Sequence, residues 1–354
     1  MGGQVDRVRG AGCIGIMTTE NWKLSAPIDP TVTDLTIPAT PTTANLVELG
    51  NLAEAAKLFA SDAKAPSTRR AYRKDWAQFA AWCLGMGLID LPAAPEAVAS
   101  YITSMAGQGR RPATIQRALV SISQAHKMAN HISPTTGAVV RETLKGIRRT
   151  LGVAQKQKAA ALPENIKAML GASSDDILGI RDRALLLLGF TGGFRRSELV
   201  ALDVNDIEFT ADGIVVTLRR SKTDQEGEGR KIGIPYGSSP VTCPVRSLRR
   251  WIEAAGIEDG AIFRRVGRWG HAGDERLDGR AVAAVVQRYA KLIGMDPKKF
   301  AGHSLRAGLA TAAARAGKSE RSIMNQTGHR SVTMVRKYIR EGSLFIDNAA
   351  AGLL

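Results

Sequence analysis

The run Ile177–Leu199, ILGIRDRALLLLGFTGGFRRSEL, decides the fold. Ile177 to Leu188 reads as an apolar helix with no charge beyond its first turns. Gly192 and Gly193 end it, and a new helix begins at once with an arginine, Arg195 or Arg196, with Glu198 about one turn on. A buried helix broken by two glycines and restarted on charge predicts a mostly helical domain with a polar site at the break.

C-terminal to this run the pattern changes period. Ile207–Phe209, a turn at Asp212-Gly213, Ile214–Leu218, and Lys231–Ile234 after a loop rich in Gly and charge predict a short antiparallel sheet. Helices follow at about Val245–Ala255, Arg280–Ile293, Ser304–Ala316, Glu320–Thr327 and Val332–Ile339. Gly317 and Gly328 stand where C-caps belong, and Ser319 and Ser331 where N-caps belong. The intervening stretch Val266–Leu277 (VGRWGHAGDERL) is rich in Gly and charge and is left as loop without a role.

N-terminal to it, Pro163-Glu164 opens this second domain, and Val153–Ala161 (VAQKQKAAA), with two lysines and no apolar period, reads as a linker. Before it lie four predicted helices. Ser67-Thr68 offers an N-cap for one carrying Trp76, Phe79 and Trp82-Cys83, closed by Gly85 and Gly87. Pro95 opens the next, with Val98, Tyr101, Ile102 and Met105 on one face. Pro112 opens a third, with Ile115, Leu119 and Ile122 inward, and the fourth runs from about Gly137 to Leu151. Residues 1–45 read as a flexible leader, because Pro27, Pro30, Pro38 and Pro41 deny it a helix. Met17 is an alternative start. The expected organisation is therefore a leader (1–45), a helical core-binding domain (46–152), a linker (153–161), a mixed α/β domain (162–342) and an apolar C-terminal tail (343–354). The fold class is mainly α with a small antiparallel β-sheet.

Composition narrows the partner. The 354 residues hold 49 Lys and Arg against 33 Asp and Glu, a net charge of +16 that favours a polyanion such as nucleic acid. A DNA-packaging or ribosomal protein would share that charge. Cys13, Cys83 and Cys243 form neither a disulfide framework nor a zinc set. No apolar run is long enough to span a membrane, so a cytoplasmic, DNA-associated location with no metal and no cofactor is expected. The first domain's polar faces carry Arg69, Arg70, Arg73 and Lys74, then Arg110, Arg111 and Arg117, then Lys145, Arg148 and Arg149, with Thr114 and Gln116 alongside. Any one such cluster reads as solvated helix surface; three together point to phosphate contacts.

Transesterification of a phosphodiester needs a nucleophile, a base to assist it, an acid for the leaving oxygen, and cations facing the phosphorus. Five short motifs offer these groups. Arg195 and Glu198 share a helix face, and an arginine held in a fixed pose can grip two phosphate oxygens. Lys222 stands at a turn of the small sheet. His303 and Arg306, in GHSLR, lie near a helix start, where anions are favoured. His329 follows Gly328, and Tyr338 sits among Arg336, Lys337 and Arg340. Each alone reads equally well as an ion pair, a solvated lysine, a structural histidine or a packed tyrosine.

Their order is specific. G-F-R-x-S-E-L, a β-turn lysine, G-H-S-L-R, G-H and Y-I-R, from about Pro163 to Arg340, resemble the tyrosine recombinase (phage integrase) family. The last part of this stretch and the N-terminal helices are worded like its Cre-type members. The resemblance implies a two-domain DNA clamp, four protomers acting on two double-stranded DNA sites, accessory DNA-bending proteins in some members, and no cofactor. It implies that Arg195 and Arg306 are the two catalytic arginines, Arg195 being chosen over Arg196 because it lies three before Glu198. It assigns Lys222 as general acid, His303 as base, His329 as a phosphate donor where Cre has Trp, Tyr338 as nucleophile and Glu198 as support. Attack by Tyr338 would give a 3′-phosphotyrosine intermediate, and the tail Ser343–Leu354 would dock on a neighbouring protomer. Two other readings stay open: relaxation of supercoils in the manner of a type IB topoisomerase, and a DNA-binding relative without chemistry.

Overall fold

The computed structural model describes residues 47–52, 55, 63–154, 157–219, 224, 228–342 and 350. The leader, the alternative start, Lys222 and nearly all of the C-terminal tail lie outside the described residues. Backbone contacts divide the chain into Met1–Arg69 and Arg70–Leu354. In the first unit, residues 47–52 are helical.

The second unit contains separate hydrophobic cores. One gathers Phe79, Val98, Ile102, Ile115 and Ile122, all fully buried, from α1 (Pro66–Gly85), α2 (Pro95–Gly107) and α3 (Pro112–Met128), with Val140 from α4 (Ala138–Leu151). The periodic residues of the sequence are those that meet. Helix α1 starts at Pro66 rather than after Ser67-Thr68. Proline's fixed φ and missing N–H suit a first helical position, and this outweighs the hydroxyl cap. The buried ring of His126 ties the group together: Nδ1 donates to Ile122 O at 2.8 Å, and Nε2 accepts from Ala93 N at 2.9 Å.

The expected linker is only partly free of the fold. Ala159 N donates to Lys299 O and Ala161 N to Ser304 O, and Ala161 is fully buried. Three alanines without apolar period gave no sign of this, because small side chains pack wherever backbone pairing draws them.

The larger core is built round α6 (Ile177–Thr191), whose Leu185, Leu186 and Leu188 are fully buried. Packed with it are α5 (Pro163–Gly171), α7 (Arg196–Ala201), α8 (Pro244–Ala254), α9 (Gly279–Leu292) and α10 (His303–Arg315). Trp251 of α8 is fully buried and its indole N–H donates to Ile262 O at 2.8 Å, so its large apolar area is gained without an orphaned donor. The sheet runs β1 (Ile207–Phe209), β2 (Gly213–Leu218), β3 (Arg230–Pro235), all antiparallel, with Ile214, Val216 and Leu218 facing inward. Two last helices, α11 (Glu320–Thr327) and α12 (Val332–Gly342), pack on α10.

The unassigned stretch is a hairpin, β4 (Arg264–Val266) with β5 (Ala272–Arg276). It escapes a reading by apolar alternation because its strands are joined by charge. Arg264 meets Asp274 at 2.9 Å and Arg265 meets Glu275 at 3.1 Å.

Candidate active site

Helix α6 ends at Gly192 and Gly193, the latter with φ of 57°, and the chain turns directly into α7 with Arg195 at its N-cap. Glu198, at the third helical position, reaches back. Its Oε2 accepts from Arg195 N at 2.9 Å and its Oε1 from the Arg195 guanidinium at 2.5 Å. The carboxylate is 2% exposed and the guanidinium side chain 18%, so the carboxylate is held out of water while the arginine keeps an open edge. Arg196 is exposed, with its stem against Gly279 and Gly302.

Arg306, one turn into α10, is 1% exposed. Its Nη1 donates to Gly193 O at 2.7 Å and to Thr327 O, which bridges the end of α6 to the end of α11. Its Nη2 is buried and has no hydrogen-bond partner among the described residues. A buried guanidinium N–H left unpaired costs about 1–3 kcal/mol or more, and an incoming anion would relieve that cost. Burial, then the charge of Arg195, push the Arg306 pKa down to about 10.

A third arginine joins them. Arg230, first residue of β3, donates Nη1 to Asn325 O at 3.0 Å and Gln326 O at 3.2 Å, and Nη2 to Thr327 O at 3.3 Å. It thereby satisfies the carbonyls that a helix C-terminus leaves unpaired. Gly328 follows in the left-handed region, with φ of 66°. A Cβ there would lie 2.7 Å from Arg230 Cζ.

Past that glycine stands His329, half-buried, with Nδ1 2.7 Å from Thr327 Oγ1. Burial, then Arg306 and Arg195, push its pKa down to about 3. Tyr338 is 4% exposed, set among Ala307, Ala310, Ala314, Ile323 and Val335 between α10, α11 and α12. Its hydroxyl lies 2.7 Å from His303 Nε2, and its ring centre is 5.8 Å from that of His329. His303 keeps an exposed edge, but the protein packed round it, then Arg306 and Arg195, lower its pKa.

The structure thus brings together Arg195, Glu198, His303, Arg306, His329 and Tyr338, drawn from α7, α10, α12 and the turn after α11. Lys222 falls in the connection between β2 and β3, outside the described residues. Sequence reasoning missed Arg230 and Thr327. The signals were present: Arg230 stands at the return of the hairpin whose turn holds Lys222, and Thr327 directly precedes Gly328-His329. Chemically the assembly offers a phenol on an imidazole, and three guanidinium groups near one carboxylate, a charge arrangement suited to an anion.

The DNA-contact candidates behave less uniformly. Arg70, Arg73, Lys74, Arg110, Arg111, Arg148 and Arg149 are exposed, Lys145 pairs with Glu142, and Arg69 and Thr114 are half-buried. Arg117 is committed to Asp75 through two bonds of 2.7 and 2.9 Å. Gln116 accepts from Arg148 at 2.8 Å, and with Arg111 these two line a groove of about 610 Å³.

Residues 161–343 match the model of the phage integrase family. The chain is 40% identical over 290 residues to an integrase/recombinase xerD homolog of Selenomonas ruminantium, covering 81% of this chain and 85% of that protein. It is 27% identical to the recombinase cre of Escherichia phage P1, covering 74% of this chain and 80% of that one. Among solved structures, a lambda integrase dimer bound to a core site matches at TM-score 0.55 and 19% identity, over 81% of this chain and 93% of that chain. The XerH site-specific recombinase in a post-cleavage complex matches at TM-score 0.52 and 20% identity, over 71% and 70%. These two carry the likeness of fold. The chain belongs to the phage integrase family of tyrosine recombinases. Its activity is site-specific DNA recombination.

Proposed function

We propose that Tyr338 is the nucleophile and that the groups round it carry the reaction in fixed roles. Its phenolic oxygen attacks the scissile phosphorus while His303, already in hydrogen-bond contact, takes the proton. Arg195, braced by Glu198, and Arg306 bind the non-bridging oxygens and stabilise the charge that builds on them. His329 adds a further hydrogen bond to the phosphate. Lys222 gives a proton to the departing 5′-oxygen, leaving a 3′-phosphotyrosine and a 5′-hydroxyl. A 5′-hydroxyl of the partner DNA then attacks that phosphorus, Tyr338 leaves, and the strand is rejoined with no outside energy source.

The observation that carries this reading is the 2.7 Å contact of His303 Nε2 with the Tyr338 hydroxyl, beside a buried Arg306 whose Nη2 has no partner among the described residues. The meeting of His303, Arg306 and Tyr338 within one chain supports a reading of cleavage in cis. The wider reading has the helical group and the catalytic group clamping double-stranded DNA, with Arg111, Gln116 and Arg148 on the phosphates. Four protomers act on two sites, each tail Ser343–Leu354 resting on a neighbour.

The test is a nicked suicide substrate carrying the flanking site, without metal, resolved on a denaturing gel. Wild type is expected to give a shifted covalent band, and Tyr338→Phe none while still binding. Binding with no covalent band in wild type, on a verified site, would reduce Arg195, Lys222 and Arg306 to phosphate contacts.

A further inference from the structure

Thr327 belongs to none of the motifs above, yet it touches three of the site's side chains. It is fully buried at the end of α11. Its main-chain carbonyl accepts from Arg306 and Arg230. Its hydroxyl lies 2.6 Å from Ile323 O and 2.7 Å from His329 Nδ1. A hydroxyl has one hydrogen to give. Aimed at His329, it would leave two acceptor oxygens facing each other across 2.6 Å with no proton between them. The hydrogen therefore goes to Ile323, and His329 Nδ1 must be the donor to Thr327. A neutral imidazole carries one N–H, so Nε2 then holds a lone pair. The oxygens of a phosphodiester only accept.

We propose that Thr327 is a positioning residue that fixes His329 as its Nδ1–H tautomer, so that His329 engages the scissile phosphate only after its Nε2 takes up a proton from solvent. This rests on the assignment of Tyr338 and its neighbours under Proposed function. The charged and titratable groups facing His329 are Arg195, Arg306 and Arg230, with His303, Tyr338 and the carboxylate of Glu198 behind Arg195. In the DNA-free protein the arginines and burial keep His329 neutral. A bound phosphate adds negative charge against the same arginines and reverses the balance, so the proton arrives with the substrate. The Thr327 oxygen accepts from Nδ1 in both states and stabilises the imidazolium more than the neutral ring.

The measurement is nitrogen NMR of histidine-labelled protein, which has five histidines, with the His329 signal identified by its loss in His329→Gln. Free wild type is expected to show His329 neutral and protonated on Nδ1. The Tyr338→Phe protein on uncleaved duplex is expected to show both nitrogens protonated at neutral pH. A neutral Nε2–H form in the free protein, or a neutral ring on DNA, overturns the inference. In the suicide-substrate assay, Thr327→Val removes the hydroxyl and keeps the main-chain carbonyl. Its cleavage rate is expected to fall roughly 10- to 100-fold. The alkaline limb of its pH profile should move to lower pH, because the charged ring has lost an acceptor, and Thr327→Ser should restore both. A Val variant with the wild-type rate and profile sinks the proposal. If wild type forms no covalent band on a verified site, the functional assignment fails instead, and the NMR of the free protein still decides the tautomer.

Discussion

At the residue scale the site is governed by how each cation is held before DNA arrives. Arg306 spends one nitrogen on Gly193 and Thr327 and keeps the other buried without a partner among the described residues. Only a planar fork can do both, since lysine offers a single charged point on a flexible stem. Arg306→Lys is therefore expected to lower strand cleavage by about 100- to 1,000-fold while DNA affinity changes only a few-fold, read from covalent-band kinetics beside a binding titration. Arg195 is held differently, by a carboxylate that is itself buried. Removing Glu198 would leave the guanidinium without its brace, and removing Arg195 would strand a buried negative charge. Gly193, two residues before Arg195 and at positive φ, presents its carbonyl to Arg306.

At the element scale the site is a meeting of ends. The C-terminus of α6, the N-termini of α7 and α10, and the C-terminus of α11 all converge there. The hairpin whose connection holds Lys222 is tethered on both strands. Arg219, just beyond β2, meets Asp206 and Asp203 at 2.7 Å each, and Arg230, at the start of β3, holds the last carbonyls of α11. Gly328 makes the second tether possible because a Cβ there would meet the Arg230 guanidinium within 2.7 Å. Gly328→Ala is expected to cost about 1–2 kcal/mol from the left-handed backbone alone, with the clash at Arg230 added, and to slow cleavage further because His329 is displaced. Denaturant unfolding and the suicide substrate read the two effects separately. Placing the same change on Arg230→Ala should recover the part due to the clash, and equal losses in both backgrounds would show that no clash exists.

At the scale of the whole molecule, charge decides how the protein meets its substrate. A net charge of +16 is spread over both the helical group and the catalytic group. Each phosphate neutralised by Lys or Arg releases counterions, so affinity should fall steeply as salt rises. Arg111→Ala and Arg148→Ala, which remove exposed cations lining the groove beside Gln116, are each expected to make the slope of log affinity against log salt shallower by about one. Arg117→Ala should leave that slope nearly unchanged, because Arg117 is already paired with Asp75. It should instead destabilise the fold by leaving Asp75, which is 5% exposed on its side chain, without its partner. A titration across salt concentrations separates the two classes. An Arg117 variant as shallow as the Arg148 variant would mean that the ion pair opens on DNA.

Much of this protein was legible before any fold was built. Apolar period and punctuation by Pro and Gly determined the helices from Pro66 to Leu151, the sheet after α7 and the helices from α8 to α12, because local burial patterns and backbone restrictions act over a few residues. The motif residues Arg195, His303, Arg306, His329 and Tyr338 were picked out differently: each alone reads equally well as packing or solvated surface, and only the order of their motifs along the chain singled them out. Tertiary structure alone decided which cations are already spoken for. Nothing near Arg117 announces Asp75, and nothing near Arg230 announces the carbonyls of Asn325, Gln326 and Thr327, since these partners lie 42 to 97 residues away along the chain. The charged hairpin from Arg264 to Arg276 was hidden because cross-strand ion pairs leave no apolar alternation. The proton on His329 was also beyond the sequence: it depends on two distances from one hydroxyl, and those exist only once the end of α11 is packed.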